Sequence, residues 1–357
     1  MDINAPAPRR TTAPSDNGDS PAADRLKRLR AELARRRLDG FLVPRGDEHQ
    51  GEYVAARSER LAWLTGFTGS AGLAVVTGKR AALFSDGRYT LQAATQVDNG
   101  LYDLRHISNE PATDWIAEAL PKGGRLGYDP WLVTPAQLPR YRDACRKAGG
   151  ELVPVDGNPI DAVWDDQPPP PAGPIRPHPK KYAGQGSADK RRAVAEALKA
   201  EDQDAQILSA PDSIAWLLNV RGADVPRTPL ALSFAILHKD ASVDWFIDKA
   251  KATAALKRHL GSGVRIRDPR NLGKVLDRLA VKNAHVRIDP AADPMWIAAR
   301  LADGGAKVER GPDLCALPKA RKNATEIDGT RAAHRRDGAA IVRFLCWLET
   351  EAAKGGV

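Results

Sequence analysis

Apolar and polar positions alternate between helical and extended rhythms from residue 22 onward. Leu26, Leu29, Leu33 and Leu38 recur at helical spacing and predict a helix over 22–38, followed by a short buried strand at 40–43. Ser58 is placed to cap a further helix. Two apolar runs, 73–76 and 81–84, flank Thr77-Gly78-Lys79-Arg80 and read as a β-hairpin. A helix over 89–97, a strand at 102–107, a helix over 113–120, a strand at 125–128, a helix over 135–148 and a strand at 151–155 complete the first half. Such alternation predicts an α/β domain whose helices cover a mixed sheet.

Residues 165–179 interrupt this rhythm with Pro168, Pro169, Pro170, Pro171, Pro174, Pro177 and Pro179. Proline can sustain neither a helix interior nor a central strand, so the segment reads as a stiff, extended linker. The second half then repeats the first in outline. Ala62-Trp63-Leu64 recurs as Ala215-Trp216-Leu217, Asp86 has a counterpart in Asp248, and Asp129-Pro130 is echoed by Asp289-Pro290, all at similar offsets. Two copies of one α/β unit account for the three echoes. After Leu317-Pro318 the pattern becomes one long helix from Asn323 to about Ala353, with Ile341, Phe344, Leu345 and Leu348 as its apolar stripe and Gly355-Gly356 as the stop.

Composition changes this picture little. The formal net charge is +9, which raises nucleic acid as a partner. The densest basic run, Arg25 to Arg37, interleaves with the leucine face, so its arginines read as the solvated side of an amphipathic helix. No nucleic-acid partner is therefore expected. No stretch approaches the ~18 apolar residues of a membrane span, so no membrane partner is expected either. Cys145, Cys315 and Cys346 are far apart and read as reduced thiols of a cytoplasmic protein. The first 21 residues lack the apolar core of a secretory signal and read as a disordered tail.

Few side chains stand out as chemistry. Gly66, Gly69 and Gly72 match neither dinucleotide nor P-loop spacing, and are expected to give a tight backbone path beside Arg88. Asp47, Glu48 and His49 read as a local turn or subunit contact. His334, Asp337, Glu349 and Glu351 lie along one helix, which cannot wrap a metal ion. Trp63, Trp216, Trp245 and Trp296 sit in apolar runs and read as core or interface residues. Read from the sequence alone, Arg88 caps the hairpin end through Asp86.

Five separated blocks carry a resemblance. They are Val43-Pro44 with 47–54, the stretch 61–93 with its Asp86-Gly87-Arg88-Tyr89, the stretch 214–225, the run 332–337, and Trp347-Leu348-Glu349 with the glycines after it. In this order they resemble the longer cytosolic Xaa-Pro aminopeptidases (aminopeptidase P) of the creatinase, prolidase and methionine aminopeptidase family. The resemblance implies two tandem creatinase-N-like α/β domains with mixed sheets, plus the first helix of a truncated pita-bread catalytic domain. The domain boundaries expected are a tail over 1–21, domain I over 22–164, a linker over 165–180, domain II over 181–318, and the start of a catalytic domain over 319–357.

It also implies release of the amino-terminal residue from peptides with proline second, a homodimer, and two manganese ions held in the absent domain, with no cofactor and no catalytic or metal-ligating residue in this chain. Arg88 becomes a substrate-binding residue, since a guanidinium can hold a peptide carbonyl or carboxylate through two hydrogen bonds. The alternative is a catalytically silent interaction module or truncated pseudoenzyme.

Overall fold

The computed structural model describes residues 20–355, so nearly all of the tail expected over 1–21 lies outside it, as does Gly356. The described residues divide into two compact units: 20–45, 60–129 and 141–167 form the first, and 46–59, 130–140 and 168–355 the second.

In chain order the first half carries α1 (Pro21–Arg35), β1 (Gly40–Pro44), α2 (Arg60–Thr65), β2 (Gly72–Thr77), β3 (Ala81–Ser85), α3 (Thr90–Gln96), β4 (Asp103–His106), α4 (Ala112–Ala119), β5 (Arg125–Tyr128), α5 (Leu138–Lys147) and β6 (Glu151–Pro154). The hairpin forms as the pattern predicts. Val76 pairs with Ala81, and the Thr77 hydroxyl closes the turn by accepting the Arg80 N–H at 3.0 Å. The sheet runs β4-β3-β2-β1-β5-β6, antiparallel among β1, β2 and β3 and parallel elsewhere. Leu26, Leu29 and Leu33 of α1 pack with Phe41, Leu64, Phe67 and Val76 in the first core.

Three readings of this half need correction. Helix α1 stops at Arg35 because Arg37 takes a left-handed φ of 58°, and the Leu38 N–H returns to the Leu33 carbonyl. Nor is the whole basic run a solvated face: Lys27, Arg35 and Arg37 are exposed, but three arginines are not free in solvent. Arg25 donates to the Trp63 carbonyl at 2.7 Å, Arg30 to that of Thr77 at 3.0 Å, and Arg28 to Val163, so cations satisfy carbonyls of their own domain. Ser58 is the buried end of a 3₁₀ turn, and the helix that it was expected to cap begins at Arg60.

The second half carries β7 (Arg176–Pro177), α6 (Lys180–Ala183), α7 (Ser187–Ala200), β8 (Ala205–Leu208), α8 (Pro211–Leu218), β9 (Val220–Arg221), β10 (Phe234–His238), β11 (Val243–Phe246), α9 (Ala254–Leu260), β12 (Val264–Arg267), α10 (Leu272–Val281), β13 (His285–Ile288), α11 (Met295–Asp303), β14 (Lys307–Arg310), α12 (Ala316–Ala320) and α13 (Ala324–Ala353). Its large sheet runs β12-β11-β10-β8-β13-β14, the same order and directions as the first. Each echo falls at an equivalent point: the tryptophans on α2 and α8, Asp86 and Asp248 after the third strand, Asp129 and Asp289 after the fifth.

The proline-rich stretch is more than a spacer. Ile175 is buried in the second unit's core, and Arg176 and Pro177 pair with Arg221 and Val220 in a small ribbon. Helix α13 starts on a capping box, with the Asn323 side chain on the Glu326 N–H and the Glu326 carboxylate on the Asn323 N–H. Along it Ile341, Phe344 and Leu345 are exposed and Leu348 half-exposed.

Candidate functional site

Strand β3 delivers Asp86 to the start of a 3₁₀ turn, Gly87–Tyr89. The Asp86 carboxylate accepts the Arg88 N–H at 3.0 Å, so the side chain replaces a backbone acceptor that the turn cannot supply. The same carboxylate takes a fork from the guanidinium, with Nε at 3.0 Å from Oδ1 and Nη2 at 2.8 Å from Oδ2. These side-chain bonds from Arg88 are the main reason that the Asp86 carboxyl sits below the usual aspartate range. Arg88 remains 63% exposed and lies 5.2 Å from the centre of the Tyr89 ring. Tyr89 is fixed in turn by a 2.7 Å hydrogen bond with the Ser70 hydroxyl and by an edge contact with Phe67. An exposed cation thus projects from a turn whose backbone is clamped on both sides.

The glycines before the hairpin serve something other than Arg88. A Cβ at Gly69 would fall inside the Phe67 ring, and one at Gly72 would come within 3.1 Å of it. Gly66 needs its φ of +81°, with the Gln96 carbonyl against it. They wrap the chain around a buried phenylalanine, so the tight path expected beside Arg88 is set at Gly69 and Gly72 by Phe67.

The other candidate groups resolve locally. Asp47 is buried and accepts the His49 and Gly51 N–H groups in a turn. His49 Nδ1 lies 2.9 Å from the Ser209 carbonyl, and its ring packs on Phe234. On α13 the His334 ring nitrogen is 2.9 Å from the Thr330 carbonyl one turn back. Among the described residues, no three His, Cys, Asp or Glu side chains come together in a way that could hold a metal ion. The described residues therefore do not fit a metal centre. Trp63 and Trp245 are buried, while Trp216 and Trp296 are half-buried, with Trp296 stacked on Trp131 at 4.2 Å. Cys145 and Cys315 are buried free thiols and Cys346 an exposed one. No described helix is long and apolar enough to cross a membrane.

Sequence reasoning missed a second cationic feature, around Lys190 and Arg221. Its signal was faint: a lysine at an apolar position of α7 and an arginine in a strand.

The duplicated sheet is the feature to compare with known proteins. Two family models, both described as the creatinase/prolidase N-terminal domain, match residues 25–163 and 166–326. The chain belongs to the creatinase/prolidase family. Within it, a probable Xaa-Pro aminopeptidase P of Coccidioides posadasii is 38% identical over 338 residues, covering 92% of this chain and 55% of that protein. A probable Xaa-Pro aminopeptidase P of Aspergillus niger is 36% identical over 340 residues, with the same coverage of 92% and 55%. The crystal structure of X-prolyl aminopeptidase from Caenorhabditis elegans, described as a cytosolic enzyme with a di-nuclear active site, superposes with a TM-score of 0.87 at 31% identity. That match covers 94% of this chain and 57% of the other. The chain thus spans about half the length of the relatives that it matches.

Proposed function

We propose that this chain is the amino-terminal, non-catalytic portion of a cytoplasmic Xaa-Pro aminopeptidase, an enzyme releasing the first residue of peptides with proline second. The observation that carries the reading is the superposition of 94% of this chain on 57% of the C. elegans enzyme at a TM-score of 0.87. Metal chemistry then belongs to the remaining length of such proteins, where the family's two manganese ions would be held. In this reading Arg88 binds substrate. Its guanidinium is exposed, rigidly based and able to hold a carbonyl or carboxylate oxygen by charge-assisted hydrogen bonds. The boundaries proposed are domain I over 22–164, a linker over 165–180, domain II over 181–318 and the opening of the catalytic domain over 319–357. A homodimer is part of the same proposal and rests on the resemblance.

The test is a chimera. This chain is joined to the carboxy-terminal part of the C. posadasii relative and assayed on an Xaa-Pro peptide with manganese, beside the 357-residue chain alone. The chimera is expected to release the first residue and the chain alone to be inactive. A folded chimera without activity contradicts the reading, as does chelator-sensitive hydrolysis by the chain alone.

A further inference from the structure

A groove of about 660 Å³ opens in the second unit beside α6, β9 and the first turns of α13. Lys181, Arg221 and Lys322 line it together with His178, against two carboxylates, Glu326 and Asp328. The charges do not cancel locally. Arg221 is half-buried, and its guanidinium donates to backbone carbonyls, that of Val220 at 2.8 Å and more weakly that of Ala215. Among the described residues no carboxylate lies within ion-pair distance of it.

Behind it stands Lys190, almost wholly buried. Its ammonium meets the Trp216 carbonyl at 3.0 Å, the Asn219 side-chain oxygen at 2.8 Å and the Trp216 ring at 4.5 Å, again with no carboxylate partner. Burial draws this ammonium down to about 8, Glu326 opposes the fall, and Arg221 and Lys322 add to it. His178 is lowered first by burial, then by Arg221 and Lys190, with Glu326 opposing.

The two acids are already engaged. Glu326 holds the Asn323 N–H as half of the capping box, and Asp328 lies 3.6 Å from Arg331. The amino end of the 30-residue α13 adds its own positive field. Lys181 and Lys322 are exposed and Arg221 is half-buried, so Arg221 bears the desolvation cost among the groove's cations; Glu326 offsets it only in part, and a compact anion in the groove would offset it further.

We propose that this groove binds a small multivalent oxyanion of the phosphate class, held by Arg221, Lys322 and Lys181 at the amino end of α13. Guanidinium and ammonium groups lining one groove beside a helix N-terminus suit phosphoryl oxygens in charge and hydrogen-bonding capacity. A ligand there touches both the α/β unit and the start of the long helix, so it tightens the attachment of α13.

The experiment titrates sodium pyrophosphate and, separately, adenosine monophosphate into the 357-residue chain by calorimetry, with ionic strength held constant by chloride. Pyrophosphate is expected to bind at one site. Arg221→Gln is expected to weaken it at least tenfold, with Lys322→Gln as a second variant should the first not fold. Arg270→Gln, which removes an exposed arginine elsewhere, is expected to leave binding unchanged. Bound pyrophosphate should also slow amide exchange over residues 324–330. Binding of both ligands assigns the site to a phosphoryl group on an organic carrier, and binding of pyrophosphate alone assigns it to the free ion. Absence of binding overturns the proposal. So does equal binding by the parent and both groove variants, or an equal loss in Arg270→Gln.

Discussion

Asp86 and Asp248 end the third strand of equivalent sheets, and both cap a 3₁₀ turn by accepting the N–H two residues on, at 3.0 and 2.9 Å. The residue whose N–H is accepted is Arg88 in the first unit and Ala250 in the second. The turn therefore forms without an arginine, and the fold does not require Arg88. A third turn shows the converse. After β12, Arg270 clamps Asp268 with Nε at 3.0 Å and Nη2 at 2.6 Å, the same fork that Arg88 makes. An Asp-x-Arg fork is thus a local habit of such turns and is not evidence of a site. What distinguishes Arg88 is its placement on a turn pinned by Tyr89 and Ser70, in a chain that superposes on an aminopeptidase.

The comparison can be broken most severely in the second unit. There the turn after β11 is held by Lys251, whose ammonium meets both Asp224 oxygens at 2.7 Å in a buried pair. Asp224 also accepts the Gly173 and Leu232 N–H groups. Asp224→Ala leaves a buried cation and two buried donors, and is expected to cost about 3–5 kcal/mol of stability. Urea melts of parent and variant measure this, and a loss within error contradicts it. Arg88, exposed and paired within its own turn, offers nothing comparable.

A second contrast lies after the fifth strands. Asp129 accepts a hydrogen bond from the Asn158 side chain at 2.8 Å, whereas Asp289 keeps company with Asp293 and Asp313. Asp293 is fully buried, and burial raises its carboxyl to about 7, with Asp289 and Asp313 adding to the rise. Its ordinary value is about 3.9. The folded chain thus keeps a proton that the unfolded chain releases. This contribution to stability is complete below about pH 4 and is lost as the pH rises through about 7. Stability should fall between those limits, and Asp293→Asn should flatten the fall. Parallel slopes for parent and variant would exclude Asp293 as the source.

A smaller test separates the two kinds of glycine near Arg88. Gly69→Ala drives a methyl into the Phe67 ring and is expected to cost about 1–3 kcal/mol, the usual range for overpacking. Gly87 has only the His106 ring near, at 3.5 Å, so Gly87→Ala is expected to have little effect. Equal losses would mean that the loop is not organised around Phe67.

Much of the architecture was legible because period and turn chemistry agree. Alternating apolar runs around Thr77-Gly78-Lys79-Arg80 gave the hairpin, and three short echoes gave the duplication. What was not legible depends on partners far away in sequence. The arginines of α1 look like a solvated face until the carbonyls of Trp63, Thr77 and Val163 are brought beneath them. Arg176-Pro177 looks like linker until Val220-Arg221 supplies its edge. The glycines of 66–72 look like a path made for Arg88 because the side chain that needs them, Phe67, is one of their own neighbours. For the site, the sequence named Arg88 only through a resemblance, since its local geometry matches that of Arg270.

The most direct test of the account is Arg88→Ala, made beside Arg270→Ala in the active chimera, with turnover and melting temperature measured on the same samples. Loss of one charge-assisted hydrogen bond in the transition state predicts a fall in kcat/KM of about 10- to 150-fold for Arg88→Ala, with the melting temperature unchanged. Arg270→Ala should change neither quantity. Undiminished kcat/KM in Arg88→Ala, or a clear drop in its melting temperature, would return Arg88 to a structural role and contradict the account.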